Sequence, residues 1–232
     1  MTTQIGMLLF PDMTQLDFAG PYEVFARLPD AEVHIVSKTL APVRTERGLV
    51  MMPTATYESA PPPDVVVVPG GPGQQPLMTD EAALAFLRRQ AAGAQYVTSV
   101  CTGALVLAAA GLLKGYRATT HWLSLPLLAL LGAIPVDARV VVDRDRITGG
   151  GVTAGIDFGL KVAAVLRGEA VAQRIQLQME YNPEPPFRAG HPALAPAAVV
   201  AALRQAGEPL LRQRQTLCAR LGQELGVRAA AK

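Results

Sequence analysis

The sequence predicts an α/β fold: a doubly wound, mostly parallel sheet with helices on both faces and a helical C-terminal tail. Three observations carry this. Strand-length runs such as Ile5-Gly6-Met7-Leu8-Leu9-Phe10 and Asp64-Val65-Val66-Val67-Val68 are apolar almost throughout. Strands of that kind belong to parallel sheets covered on both faces. The runs alternate with segments of helical periodicity, as repeated strand–helix–strand units do. The strands also end abruptly, on Pro11-Asp12 after the first and Pro69-Gly70-Gly71 after the valines.

Taken in order, the first strand covers 5–10. A helix over 17–27 follows, with Pro21 in its first turn, where a missing N–H is tolerated. Glu32-Val33-His34-Ile35-Val36-Ser37 is the second strand, and 43–52 reads as a hairpin or an irregular excursion. The valine run 64–68 is the third strand. An amphipathic helix over 80–92 places Leu84, Phe86, Leu87 and Ala91 on its apolar face. The strand 96–100 leads into a helix over 102–113, ended by Gly111 and Gly115. Arg117-Ala118-Thr119-Thr120-His121-Trp122 reads as a short strand running into a turn or helix. The runs 139–142 and 146–148 flank Asp143-Arg144-Asp145 as a hairpin. Gly149-Gly150-Gly151 opens a helix near 153–166. Five prolines make 182–196 an ordered but irregular loop. The tail, 197–226, is an amphipathic helix carrying Val199, Leu203, Leu210, Leu211, Leu217, Leu221 and Leu225. No repeat or linker divides the chain, so 1–232 reads as one domain.

Composition narrows the function classes. Half the residues are hydrophobic and 17% are charged, which is a globular balance. A net charge of +2, with no basic block and no aromatic interleaving, argues against a nucleic-acid partner. The two cysteines, Cys101 and Cys218, form no disulfide framework and point to a reducing compartment. Met1-Thr2-Thr3-Gln4 lacks the charged start of a secretory signal, and every long apolar stretch is broken by Gly, Pro or charge. A soluble, cytoplasmic protein without a membrane partner is expected. No His/Cys/Asp cluster has metal-ligand spacing.

The chemistry concentrates on Cys101. Ser99-Val100-Cys101-Thr102-Gly103 is a small-x-nucleophile-x-Gly pattern on a strand-to-helix turn, the thiol counterpart of a nucleophile elbow. The turn is expected to push the thiol out to a substrate, and the helix N-terminus to favour thiolate. A core cysteine acting as a small hydrophobe would need neither Gly103 nor the junction. Gly70 and Gly71 also end a strand, and doubly wound sheets hold their sites at the carboxyl ends of strands near a topological switch. With Thr102, their N–H groups would form an anion hole; they also make a tight turn after a buried strand. No Gly-Lys-Ser/Thr follows to make a phosphate loop.

Asp17 sits in apolar Leu16-Asp17-Phe18-Ala19. A desolvated carboxyl beside a thiolate should hold its proton more tightly, which suits it to proton transfer near neutrality. A helix N-cap is the competing reading, and the residues alone do not separate the two. The Thr102 hydroxyl can hydrogen-bond substrate or water but cannot act as a base. Among the three histidines, His34 lies on a strand and His191 in the proline-rich loop. His121 is the candidate to approach Cys101, and it reads equally well as structuring a strand end beside Trp122. The tail reads as packing or dimer surface, and Cys218 as inert.

Together these segments resemble the ThiJ/PfpI superfamily, over about residues 4–185. The resemblance rests on the valine strand ending in Pro69-Gly70-Gly71, on Cys101-Thr102-Gly103, and on Arg117-Ala118-Thr119-Thr120-His121-Trp122. It implies a flavodoxin-like fold. Cys-Thr-Gly in place of Cys-His-Gly argues against the protease-like branch. Leu16-Asp17-Phe18-Ala19-Gly20-Pro21 resembles two subgroups, the isonitrile hydratases and the sensor domains of AraC-type regulators. Such a regulator would carry two helix-turn-helix units beyond this domain, whereas this chain ends at Lys232, so the hydratase branch is expected. The segment Gln178-Met179-Glu180-Tyr181-Asn182-Pro183-Glu184-Pro185-Pro186-Phe187 is similar to that branch too, except that Asn182 and Arg188 stand where acidic residues are expected.

The resemblance implies hydration of a small apolar isonitrile to an N-substituted formamide through a covalent Cys101 thioimidate. Asp17 would carry the proton, Thr102 would orient water or substrate, and no cofactor or metal would be required. It also implies a homodimer whose second subunit brings residues to the rim of the site; part of the pocket wall is expected from 150–190. Two other readings stay open: a ligand- or redox-sensing protein that keeps the elbow without turnover, and a glyoxalase- or hydrolase-like enzyme using His121.

Overall fold

The computed structural model describes residues 2–227. In chain order its elements are β1 (Thr3–Leu8), α1 (Gln15–Phe25), β2 (Ala31–Ser37), β3 (Val43–Arg44), β4 (Val50–Met51), β5 (Ala55–Thr56), β6 (Val65–Val68), α2 (Gln74–Leu77), α3 (Glu81–Ala91), β7 (Tyr96–Val100) and α4 (Gly103–Ala109). There follow β8 (Arg117–Ala118), a 3₁₀ turn (Trp122–Ser124), α5 (Leu127–Leu130), β9 (Ile134–Pro135), β10 (Val140–Asp143), β11 (Arg146–Gly149), α6 (Ala154–Arg167), α7 (Glu169–Gln178) and α8 (Ala197–Glu224).

Seven strands form one sheet in the order β10-β11-β7-β6-β1-β2-β5. Every neighbouring pair is parallel except β10 with β11. The central five, β2-β1-β6-β7-β11, run in the 2-1-3-4-5 order of a flavodoxin-like sheet, with its switch between β1 and β6. The valines of β6 are all buried, as are the last four residues of β7, because helices cover both faces. α1 packs on α6, which continues into α7. α3 packs on α4, and α8 lies across α4 and α5.

The expected elements are present with shifted ends. The first strand starts and stops two residues early, and α1 begins at Gln15, so Pro21 falls inside the helix rather than in its first turn. Pro21 brings no N–H to the Asp17 carbonyl one turn back. The hairpin 139–148 is real, but its second arm is also a central parallel strand against β7, which hairpin spacing alone does not show. The sequence pattern does not mark α7: half of its ten residues are apolar, but only Ala172 and Ile175 are buried. The proline-rich segment carries no regular element and is largely exposed.

One close approach fixes the centre of the sheet. A Cβ on Gly103 would lie 2.0 Å from the Val68 carbonyl oxygen and 2.7 Å from that of Pro69, so the start of α4 sits against the end of β6 only because residue 103 has no side chain. Gly103→Ala should therefore cost about 1–3 kcal/mol or more in denaturant unfolding. Gly93→Ala, where nothing lies within 4 Å, should change stability by less than about 0.5 kcal/mol. Equal effects from the two would show that the approach carries no constraint.

Candidate active site

Four adjacent strands deliver the site residues from their carboxyl ends. β1 leads through 9–14 to Asp17 on α1, β6 to Gly70 and Gly71, β7 to Cys101 and Thr102, and β11 to Gly150, Gly151 and Val152. Cys101 has φ +54°, a left-handed conformation that a side chain adopts only when its surroundings compel it. Here they do. The Cys101 N–H donates to the carbonyls of Gly149 (3.1 Å) and Gly150 (2.9 Å). Its own carbonyl accepts the Thr120 hydroxyl at 2.7 Å.

The elbow does not present the thiol to solvent. Cys101 is 4% exposed, and its sulfur faces the N–H groups of Val152 and Thr102 and the carboxyl of Asp17. Burial pushes the thiol far above its usual range, and the neighbouring Asp17 charge adds to the push. The expected thiolate gives way to a thiol at rest, because desolvation outweighs two amides and a short helix.

Asp17 is fully buried. Its pKa is raised to about 7, mainly by desolvation; contact with Cys101 and the Gly70 N–H oppose the rise, and the Glu46 charge adds to it. Oδ2 accepts the Gly70 N–H at 3.0 Å, while Oδ1 has no conventional hydrogen-bond partner among the described residues. The N-cap reading does not hold. Thr14 occupies the cap position, and its hydroxyl donates to Glu46 Oε1 at 2.7 Å.

Gly70 and Gly71 take a different part from a free anion hole. The Gly70 N–H is spent on Asp17, and the Gly71 N–H donates to Thr102 Oγ1 at 3.0 Å. A Cβ on Gly70 would lie 2.5 Å from Thr102 N and 2.8 Å from Asp17 Oδ2. Gly71 has φ +121°, with Thr14 N only 2.3 Å from a would-be Cβ. The two glycines therefore let the loop close over the site and hold Asp17 and Thr102 in place. Thr102 is buried, and among the described residues its hydroxyl reaches no acceptor nearer than the Gly71 carbonyl at 3.5 Å. Among the described residues, the amides that face the sulfur belong to Thr102 and Val152.

His121 is bonded locally. Its Nδ1 accepts the Leu123 N–H at 3.4 Å, capping the 3₁₀ turn. Burial, with Arg214 nearby, lowers its pKa. No hydrogen bond joins it to Cys101 among the described residues. It lines a cleft of about 350 Å³ together with Trp122, Arg139, Gly151 and His191. The cleft includes Thr120, Gly150 and Val152, each bonded to Cys101, so it ends one residue from the thiol. Asn182 and Arg188 are exposed in the proline-rich loop, and no group of three or more metal-ligating side chains is present among the described residues. No described helix is long and apolar enough to cross a membrane.

Four residues escaped the sequence reading: Val152, Thr120, Glu46 and Arg214. Arg214 left a signal, since it falls in the apolar stripe of the tail between Leu210 and Cys218. The others act through backbone position or arrive from short loops without periodicity.

The sequence profile of the DJ-1/PfpI family matches residues 3–165. The chain belongs to the DJ-1/PfpI family. It is 55% identical to the isonitrile hydratase of Pseudomonas putida, over 98% of this chain and all of that protein. The structure of a ThiJ/PfpI family protein from Pseudomonas syringae superposes with a TM-score of 0.92 at 46% identity, over 94% of this chain and 91% of that one. The HTH-type transcriptional regulator GbdR of Pseudomonas aeruginosa is 33% identical over 77% of this chain but only 50% of its own length.

The Asp17 shift sets a sign for stability. Its folded-state pKa of about 7 lies above the ordinary 3.8. The stability conferred by the neutral carboxyl is therefore complete below about 3.8 and lost as pH rises through 7, by roughly 4 kcal/mol. Asp17→Asn should match the wild type in denaturant unfolding at pH 4 and exceed it by about 2–4 kcal/mol at pH 8. A pH-independent difference would show that Asp17 ionises normally.

Proposed function

We propose that this protein is an isonitrile hydratase that converts R–N≡C to the formamide R–NH–CHO through Cys101. One observation carries the reading: a thiol and a carboxyl are buried in contact, inside a chain 55% identical from end to end to a protein named for that activity. The pair is suited to the reaction. Two protonated acids in contact lose their first proton as a unit, and the fraction with the charge on sulfur and the proton on Asp17 is the reactive one. In that form the sulfur adds to the terminal carbon while the Asp17 proton passes to the same carbon, giving the thioimidate Cys–S–CH=N–R and an Asp17 carboxylate. Water then adds its hydroxyl to that carbon, and its proton reaches the imine nitrogen by way of Asp17. Collapse breaks the C–S bond, returns the hydroxyl proton to Asp17 and releases the formamide. The Thr102 hydroxyl orients the water. Neither metal nor cofactor enters these steps.

The alternatives fit less well. A redox sensor needs an accessible, acidic thiol, whereas Cys101 is buried with a raised pKa. A glyoxalase-like route through His121 lacks a hydrogen bond from that ring to the sulfur. The reading includes a cytoplasmic homodimer and no nucleic-acid partner. Leu177, Phe187, Leu194 and Leu203 are exposed on the C-terminal segment and offer apolar surface to a second copy, and the two free, buried cysteines fit a reducing compartment.

A simple isonitrile should lose its absorbance with stoichiometric formamide formation. Cys101→Ala should abolish turnover, and Asp17→Asn should lower it by at least about 10²-fold. Wild-type protein mixed with substrate and quenched in acid should carry one extra substrate mass on the Cys101 peptide. Formamide formation by Cys101→Ala would overturn the covalent route. An inert wild type would overturn the activity itself. As the pair sheds its first proton, kcat/KM should rise through a single ionisation near pH 7.

A further inference from the structure

Arg214 is a buried cation that the chemistry above does not use. It lies on α8, is 7% exposed, and makes no salt bridge to a described carboxylate. Its partners are neutral and fully buried. The Gln74 side-chain oxygen, in the amide orientation its neighbours require, accepts Arg214 Nε–H at 3.0 Å and the Gln75 N–H at 3.2 Å. Ser124 Oγ accepts from a terminal guanidinium nitrogen at 3.3 Å. A buried guanidinium without an anion costs several kcal/mol, so the fold retains it against a penalty.

Its placement gives the reason. Gln74 opens α2 directly after the glycine loop, and its N–H donates to the Gly71 carbonyl at 3.1 Å. That loop holds Asp17 and Thr102. The Ser124 N–H donates to the His121 carbonyl at 2.8 Å, in the loop whose Thr120 grips the Cys101 carbonyl. Arg214 thus ties together the two loops that flank the elbow. Through Gln74 and Gly71 it is linked to Thr102, the residue after Cys101, and it feels the charges of Cys101, Cys218 and His121. From the other side the pair is faced by the Glu46 carboxyl group, whose charge pushes Asp17 upward.

We infer that Arg214 is a positioning residue whose buried positive charge balances the single negative charge shared by Cys101 and Asp17, which makes the C-terminal helix part of the site. The inference holds for whatever electrophile the thiol takes, so it stands or falls apart from isonitrile hydration.

The test is the pH dependence of Cys101 alkylation by iodoacetamide, read by peptide mass with Cys218 as an internal control. Arg214→Met removes the charge and should raise the Cys101 midpoint by about one pH unit, so that alkylation at pH 7 slows about fivefold. Arg214→Lys keeps the charge and should keep the midpoint. Gln74→Glu, which neutralises Arg214 in place, should raise the midpoint as Arg214→Met does and supplies the answer if the methionine variant does not fold. Gln74→Leu breaks the loop tie but leaves the charge, and should not move it. An unchanged midpoint in the charge-removing variants, or an equal shift in Gln74→Leu, would overturn the inference.

Discussion

The site depends on one constraint: a carboxyl and a thiol are buried against each other, with room for only one negative charge between them. Either group alone in water would ionise at its own pH. Together, and cut off from solvent, they titrate as a pair. The competing effects differ in size. A helix N-terminus favours an anion by about 0.3–1 kcal/mol, whereas removing a charge from water costs several kcal/mol. Desolvation therefore wins, Asp17 keeps its proton to about pH 7, and the Cys101 thiol rises well above its ordinary range. The arrangement holds a proton one contact away from the sulfur that must react, which suits an electrophile that needs protonation at the carbon under attack.

The rest of the fold can be understood as holding that contact in place. The 2-1-3-4-5 strand order puts the ends of β1, β6, β7 and β11 side by side, so four loops converge without any long excursion. Convergence alone would leave a gap. Gly70 lets backbone pass within van der Waals distance of both Asp17 and Thr102, and Gly103 lets α4 start against β6. The strained Cys101 backbone is compensated by three hydrogen bonds from the β11 end and from Thr120. Loosening any of these would admit water, and water would restore ordinary ionisation to the pair.

Much of this was legible in the sequence, for identifiable reasons. Strands buried on both faces leave unbroken apolar runs, so β1, β6 and β7 could be read directly. A nucleophile on a sharp turn leaves a small residue two positions to either side, so Cys101, Gly103 and the site's address at the strand ends followed. Asp17 stood out as a charge in an apolar segment. The unread parts share a property: their role depends on direction rather than residue type. The same elbow pattern serves an exposed thiolate or a buried thiol, and only packing decides which. Gly70 and Gly71 looked like free donors because a sequence does not show that Asp17 and Thr102 consume them. Val152 acts through its N–H, which every residue but proline has. Glu46 arrives from a two-residue strand pair too short to show periodicity.

The tail poses the remaining question of design. The matched family region ends at residue 165, before α7 and α8, so elbow, glycine loop and carboxyl all lie within the shared fold. A helix added purely to cover apolar surface would carry an apolar residue at position 214, between Leu210 and Cys218. An arginine there sacrifices packing and pays desolvation, and its guanidinium contacts only neutral groups. Such a cost is offset only if the positive potential is used, and the nearest use is the charge that Cys101 and Asp17 must hold between them. A shared scaffold would then fix where the thiol sits, while the appended helix helps set how readily it ionises. One elbow can in that way support different reactivities according to what is packed behind it.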